Sequence, residues 1–286
     1  LAGGGGVVGV GIVVAAFARQ RTDFGEAAGA CMIRWLAAMG YGFLLAPLAV
    51  VAVMSLSDDP YLNFPPHGFS LRWYVALAQN APMLEAARTS VILACVVTLL
   101  ALLTGVPAAF ALSRGAAPGF VAAALSAPLL LPTLIIGLGL LMVLQPLGLV
   151  ATWPGLALGH LVVVLPFVVR LMTTSFAALP VRLTHAALSL GAPPWLAFLR
   201  VTLPMALPGV IASATLAFLV SFDETVISLF LVGPRLVTLP IALFRYAESR
   251  TDPLVAALAV VLVVLSAVVV LVVDRLAGFT RTMAAK

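Results

Sequence analysis

The chain has 286 residues, 63% of them hydrophobic and only 9% charged, with a mean hydropathy of +1.21. Soluble domains carry roughly 45 to 50% apolar and about 25% charged residues, so a soluble fold, a disordered chain and a nucleic-acid module are excluded. The basic excess, 15 Lys+Arg against 10 Asp+Glu, is spread singly and reads as membrane topology rather than as a polyanion patch. The composition is that of an all-α integral membrane protein embedded in a lipid bilayer.

Residues 1–32 open with Gly3 to Gly6 and an apolar run, Val7 to Ala18, that is short for a span. Arg19 and Arg21 follow this run, whereas a signal peptide carries its positive charge before it. We read this stretch as a poorly ordered N-terminal extension in preference to a seventh span. Six apolar segments come next, at about 34–54, 89–113, 119–144, 155–176, 206–231 and 254–273, each long enough for a hydrocarbon core of about 30 Å. They form one transmembrane domain over 33–280, with a tail at 281–286. Pro47, Pro107, Pro128, Pro132 and Pro166 lie inside these segments and predict kinked helices, since each removes a backbone N–H.

With the termini of this domain placed in the cytoplasm, only Arg72, Arg88, Arg235, Arg245 and Arg250 of the 15 basic residues fall outside. The bias supports that orientation and makes 177–205 a cytoplasmic loop. The chain's one lysine is Lys286, so the lysine that a phosphate-binding Walker A loop needs after its second glycine is missing. His67, His160, His185, Cys31 and Cys95 are scattered without ligand spacing, which argues against a zinc site or a disulfide framework. His160, near the outer start of the fourth span, reads as a packed, hydrogen-bonded residue rather than a proton relay.

The 177–205 loop is the most informative segment. Small and apolar residues from Val181 to Leu190 predict a short helix, Gly191 suits its left-handed C-terminal position, and Pro193-Pro194 can open a second helix. The result is a helix-turn-helix at the membrane face. Its paired alanines, Ala186 and Ala187, present little bulk and suit a groove on a partner protein. An amphipathic helix resting on the membrane, with Trp195, Arg182 and Arg200 as anchors, is the other physical reading.

The loop resembles the cytoplasmic signature of binding-protein-dependent ABC transporter permeases, E-A-A-x3-G-x9-I-x-L-P. Ala186, Ala187, Gly191, Leu203 and Pro204 are in register, and Val201 takes the isoleucine place. His185 stands where the family usually has glutamate, so an imidazole that can only hydrogen-bond replaces a fixed negative charge. The resemblance implies a six-helix type I importer permease fold with this loop as the coupling helix docking on a separate ATPase subunit. It also implies that ATP and Mg belong to that ATPase and that this chain has no catalytic residue and no cofactor or metal of its own. A homologous or identical permease, a periplasmic or extracellular solute-binding protein and a bacterial inner-membrane location are implied as well. Phe69-Ser70-Leu71-Arg72-Trp73-Tyr74 looks like the family's outer amphipathic segment. Ser221-Phe222-Asp223-Glu224, Gly233-Pro234 and Thr238-Leu239-Pro240 look like the spermidine/putrescine-type subfamily, though related permeases serve iron, opines and other solutes.

Asp223 and Glu224 interrupt the fifth span in its outer half. An ionised carboxylate at mid-membrane costs about 2.5 to 3.5 kcal/mol on insertion scales, so the pair must face water, a partner or the headgroups. On a continuous helix, Ser213, Ala217, Ser221, Glu224 and Ser228 share one face of small and hydroxyl residues. We therefore expect Glu224, with Ser221 and Ser228, to line a solute path and Asp223 to meet another helix or an outer gate. A helix ending at Phe222, with both acids at the interface, is the alternative. A carboxylate in a low-dielectric funnel suits a cationic polyamine, with Phe222 or Tyr246 available for cation–π attraction. The competitor from another class is an ion-coupled secondary transporter using Asp223/Glu224, which predicts an inverted internal repeat that the sequence does not display.

Overall fold

The computed structural model describes Met32, residues 34–116 and residues 118–284. The expected extension over 1–32 lies outside the described residues, Met32 apart. Every regular element among the described residues is helical. The first, α1 (Arg34–Ser55), belongs through Met54 to a unit of its own. Its 22 residues reach about 33 Å at 1.5 Å each, enough to cross a membrane. Trp35, Leu36, Met39, Tyr41 and Phe43 are all exposed on it, as suits a helix surrounded by lipid.

The second unit runs from Ser55 onward. It contains α2 (Arg72–Ala78), α3 (Ala81–Ser113), α4 (Gly119–Ser126), α5 (Thr133–Leu144), α6 (Trp153–Ala177) and α7 (Val181–Ser189). Then follow α8 (Pro194–Ala197), α9 (Leu203–Met205), α10 (Leu207–Phe222), α11 (Val226–Leu231), α12 (Leu239–Ser249) and α13 (Leu254–Ala284). The last helix continues through Ala284 and so includes part of the expected tail.

Two long helices, α3 and α6, make the most extensive contact in the unit. Asn80 starts α3 by accepting the Met83 N–H at 3.2 Å, and Thr152 starts α6 by accepting that of Gly155 at 3.2 Å. Buried residues recur every fourth position on both: Leu93, Val97, Ala101, Gly105 and Ala109 on α3, and Leu156, His160, Val164, Val168, Met172 and Phe176 on α6. Such rows are the ridges by which helices interlock. Lipid tails are as apolar as leucine, so burial alone drives little here, and small residues that allow close approach hold the contact. Gly105 is one of them: a Cβ there would lie 2.9 Å from Val168 Cγ1. The α10 helix packs on both, with Ala217 fully buried.

Among the described residues four helices are long and apolar enough to cross a membrane unbroken, and two bent pairs bring the total to six when each pair is one span. The kinked span expected over 119–144 is bent into a pair in which Gly119–Leu130 and Thr133–Leu144 meet at 107°. Leu131 is extended there because the residue before a proline, here Pro132, is pushed out of the helical region. In the second pair Pro194–Met205 and Leu207–Phe222 meet at 74°. The expected continuous helix over 206–231 is corrected, since α10 ends at Phe222 and α11 begins at Val226.

Candidate functional site

The 177–205 segment folds as its sequence predicts. Gly191 has φ +87°, and it closes α7 with two reverse bonds: its N–H donates to the Leu188 carbonyl at 3.0 Å and the Ala192 N–H to that of Ala187 at 3.1 Å. A side chain at Gly191 would meet nothing within 4 Å. His185 and Ala186 are exposed and Ala187 is half-buried, so the small face of α7 is open to a partner. Pro194 opens α8, and a π-helical turn (Phe198–Thr202) carries the chain into α9, where Leu203 is half-buried and Pro204 exposed at the 74° bend.

One contact braces this segment internally and another fastens it to the bundle. The Thr184 and Thr202 hydroxyls are 3.1 Å apart, which ties α7 to the π-helical turn. Phe198 packs on Phe110 of α3 and Phe176 of α6, with ring centroids 4.7 and 6.1 Å away. Aromatic pairs at these separations attract beyond their buried area. Through Phe198 the segment is thus packed against α3 and α6. The hollow between α7 and the end of α3, ≈ 540 Å³, is lined by His185, Thr184 and Arg114, whose guanidinium lies 5.4 Å from the Phe110 ring centre. No local pattern in the sequence announces the Phe110, Phe176 and Phe198 cluster, because the three are far apart in the chain.

The acidic pair sits in a gap between helices. Asp223 caps α10 and is exposed, while Glu224 and Thr225 are half-buried. Side chains replace the lost helical bonds: Glu224 Oε1 accepts the Ile227 N–H at 3.0 Å, and the Thr225 hydroxyl donates to the Asp223 carbonyl at 3.2 Å. No cationic side chain among the described residues pairs with either acid. Ser221 and Ser228, expected beside Glu224, are instead buried against α6, where their hydroxyls flank His160 at 3.0 and 2.9 Å. The expectation of a packed, hydrogen-bonded His160 is what the structure shows, and its place in the four-residue row of α6 was the available signal. Ser213 and Ala217 are buried too, so the small-residue stripe faces the interior of the bundle.

Polar contacts outside the spans order the opposite end. Asp59 accepts the His67 N–H at 3.1 Å, and this bond holds its carboxyl below the ordinary value. Burial, with a hydrogen bond of 2.8 Å to Asp252, pushes the Tyr246 phenol up. The guanidinium of Arg72 lies 4.7 Å from the Trp73 ring centre.

A bundle of membrane helices with an exposed helix-turn-helix fastened to its core, and with two unpaired acids at a gap in one span, defines a membrane-embedded transport subunit. Residues 101–282 match the family described as binding-protein-dependent transport system inner membrane component, and the chain belongs to it. It is the permease subunit of an ABC importer. It is 32% identical to the spermidine/putrescine transport system permease protein PotC of Escherichia coli K12, over 81% of this chain and 88% of that one. It is also 32% identical to the putrescine permease PotI of the same strain, over 77% and 82%. The putative 2-aminoethylphosphonate permease PhnV of Salmonella paratyphi A is 29% identical, over 82% and 89%. Among solved structures, a bacterial ABC transporter that imports alginate aligns at a TM-score of 0.69 with 16% identity, over 90% of this chain and 97% of that one. The inward-facing MetNI methionine transporter aligns at 0.60 with 18% identity, over 69% and 95%.

Proposed function

We propose that this permease conducts a polyamine such as spermidine or putrescine, delivered by a solute-binding protein and driven by a separate ATPase that docks on α7 and Gly191. The observation that carries the substrate is the pair of uncompensated carboxylates at the α10–α11 gap, in a chain whose relatives PotC and PotI are named for polyamines. A carboxylate with no cation of its own attracts an ammonium group strongly where water is scarce. The α10 helix begins at the 74° bend and rises about 24 Å before reaching the acids, which puts them in the outer half of the span when α7 is cytoplasmic. The chain would act with a second, identical or homologous permease, the path running between the two. Closure of the ATPases on ATP moves α7, the aromatic contact of Phe198 carries the motion to α3 and α6, and access alternates as the bundles rock. Nothing in the family match calls for an ion gradient, so the ion-coupled reading is set aside.

The test is reconstitution with the ATPase, the partner permease and the binding protein in proteoliposomes, followed by ATP-dependent uptake of labelled spermidine and putrescine. 2-Aminoethylphosphonate is the informative competitor, because it also carries an ammonium group. Saturable polyamine uptake that resists this competitor supports the reading; ATP-driven uptake of the phosphonate without the polyamines overturns it.

A further inference from the structure

His160 on α6, Ser221 in the last turn of α10 and Ser228 in α11 meet inside the bundle, with 1%, 2% and 0% of their surfaces exposed. Nδ1 lies 3.0 Å from the Ser221 hydroxyl and Nε2 lies 2.9 Å from that of Ser228. A neutral imidazole has one N–H and one bare nitrogen, so it donates to one serine and accepts from the other. Both ring nitrogens are thereby satisfied, as a buried polar group requires.

The two serines stand on opposite sides of the gap that carries the acids. One ring therefore ties the end of α10 to α11 across the break at residues 223–225, and moving either helix away from it leaves a buried polar group unpaired. Beside it, a Cβ on Gly159 would lie 2.3 Å from Leu231 Cδ1 and 2.9 Å from Ile227 Cγ2, so α11 sits in a notch cut into α6. A Cβ on Gly137 of α5 would similarly lie 2.5 Å from the Phe230 ring.

We propose that His160 is a positioning residue of the solute path: it pins α11 to the end of α10 across their break and so sets where the Asp223 and Glu224 carboxylates stand. This rests on the reading that those carboxylates receive the solute's ammonium groups. The link to Glu224 is direct, because its Oε1 accepts the N–H of Ile227, the residue before Ser228. A pinned α11 is a fixed α11 N–H, and a fixed N–H is a fixed Glu224. With the pin removed, the acids lose their common frame and solute capture weakens, whereas the ATPase contact at α7 is untouched.

The experiment uses the reconstituted importer with His160→Leu, His160→Gln, Ser221→Ala and Ser228→Ala. KM and maximal rate of ATP-driven spermidine uptake are measured, together with the distance distribution between spin labels at Ala212 on α10 and Leu229 on α11. His160→Leu and Ser228→Ala should raise KM about tenfold with maximal rate within about twofold, the size expected for losing buried hydrogen bonds. The label distribution should broaden in both. His160→Gln, whose amide offers a donor and an acceptor, should recover most of each effect. An unbroadened distribution overturns the pin. A broadened one with unchanged KM overturns the positioning role while leaving the transport reading intact. If the wild-type importer moves no polyamine, the transport reading fails, and the label distances still decide whether the pin exists. Should His160→Leu fail to fold, the two serine variants carry the same test with the imidazole in place.

Discussion

The Gly191 turn, which lies between two spans, and the acidic gap, which lies within an apolar segment, both interrupt helix, yet they are made in different ways. Around Gly191 the bonds are local: the turn is closed by carbonyls three and five residues back, and the helices beside it start and stop at their own prolines and glycine. Around Asp223 and Glu224 the local bonds cap the helix ends, but the two helices are joined across the gap by His160, which is 61 residues before Ser221 and 68 before Ser228. The Gly191 segment keeps its shape by its own bonds and leaves much of its surface bare. The acidic gap takes its shape in part from the bundle around it, because a polar group within the membrane needs partners that a single helix does not supply.

The sharpest way to break the comparison is at Gly191. Gly191→Ala pays only for a left-handed backbone, about 1–2 kcal/mol, whereas Gly191→Leu also adds bulk in space that is empty here and that the proposed docking would fill. We expect Gly191→Leu to reduce binding-protein-stimulated ATP hydrolysis about a hundredfold, far below Gly191→Ala, with the two thermal midpoints alike. Equal hydrolysis in both variants would remove the docking role. At the gap, Glu224→Gln keeps an oxygen for the Ile227 N–H and loses only charge. The KM for spermidine should rise about tenfold or more, the cost of a charge-assisted hydrogen bond turned neutral; wild-type kinetics for every cationic solute tested would rule the role out.

Two smaller effects sharpen the same contrast. His185 is exposed on α7, and exposed charged or polar contacts contribute little, so His185→Ala should change coupled hydrolysis by less than about threefold. A larger loss would mean that the imidazole, and not the alanine face, carries the docking. Asp59 supplies the smallest effect. Its folded-state carboxyl titrates below the ordinary value of 3.8, chiefly because it accepts the His67 N–H, so the order it gives the 57–67 segment is present above that value. That order is lost as the pH falls through the lowered value. Hydrogen exchange at the His67 amide should speed up in that range, and Asp59→Asn should weaken the dependence.

Much of the fold was legible in the sequence because a bilayer allows few solutions. Apolar runs of the right length predicted six spans, and among the described residues four unbroken helices and two bent pairs are long and apolar enough to be those spans. The Gly191 turn and the helix opening at Pro194 could be read residue by residue, since their physics lies within a few positions of the chain. The bend near Leu131 was half legible: Pro128 and Pro132 announced a disturbance, but not that it would reach 107°. At Asp223 no proline or glycine gives the break away. A continuous helical face through Ser213, Ser221, Glu224 and Ser228 was the natural inference, and its serines turned out to face His160.

By itself, the sequence determined that this chain lies in the membrane, where the six apolar segments after residue 33 fall, and that the 177–205 loop turns between two short helices at Gly191. Hydropathy and backbone chemistry act locally, so neighbouring residues suffice to express them. The tertiary structure decided that the small-residue stripe of α10 faces inward, that Phe198 is locked to Phe110 and Phe176, and that one histidine spans the gap bearing the acids. Each of those depends on a helix from elsewhere in the chain arriving within hydrogen-bonding or van der Waals distance, which no stretch of neighbouring residues encodes.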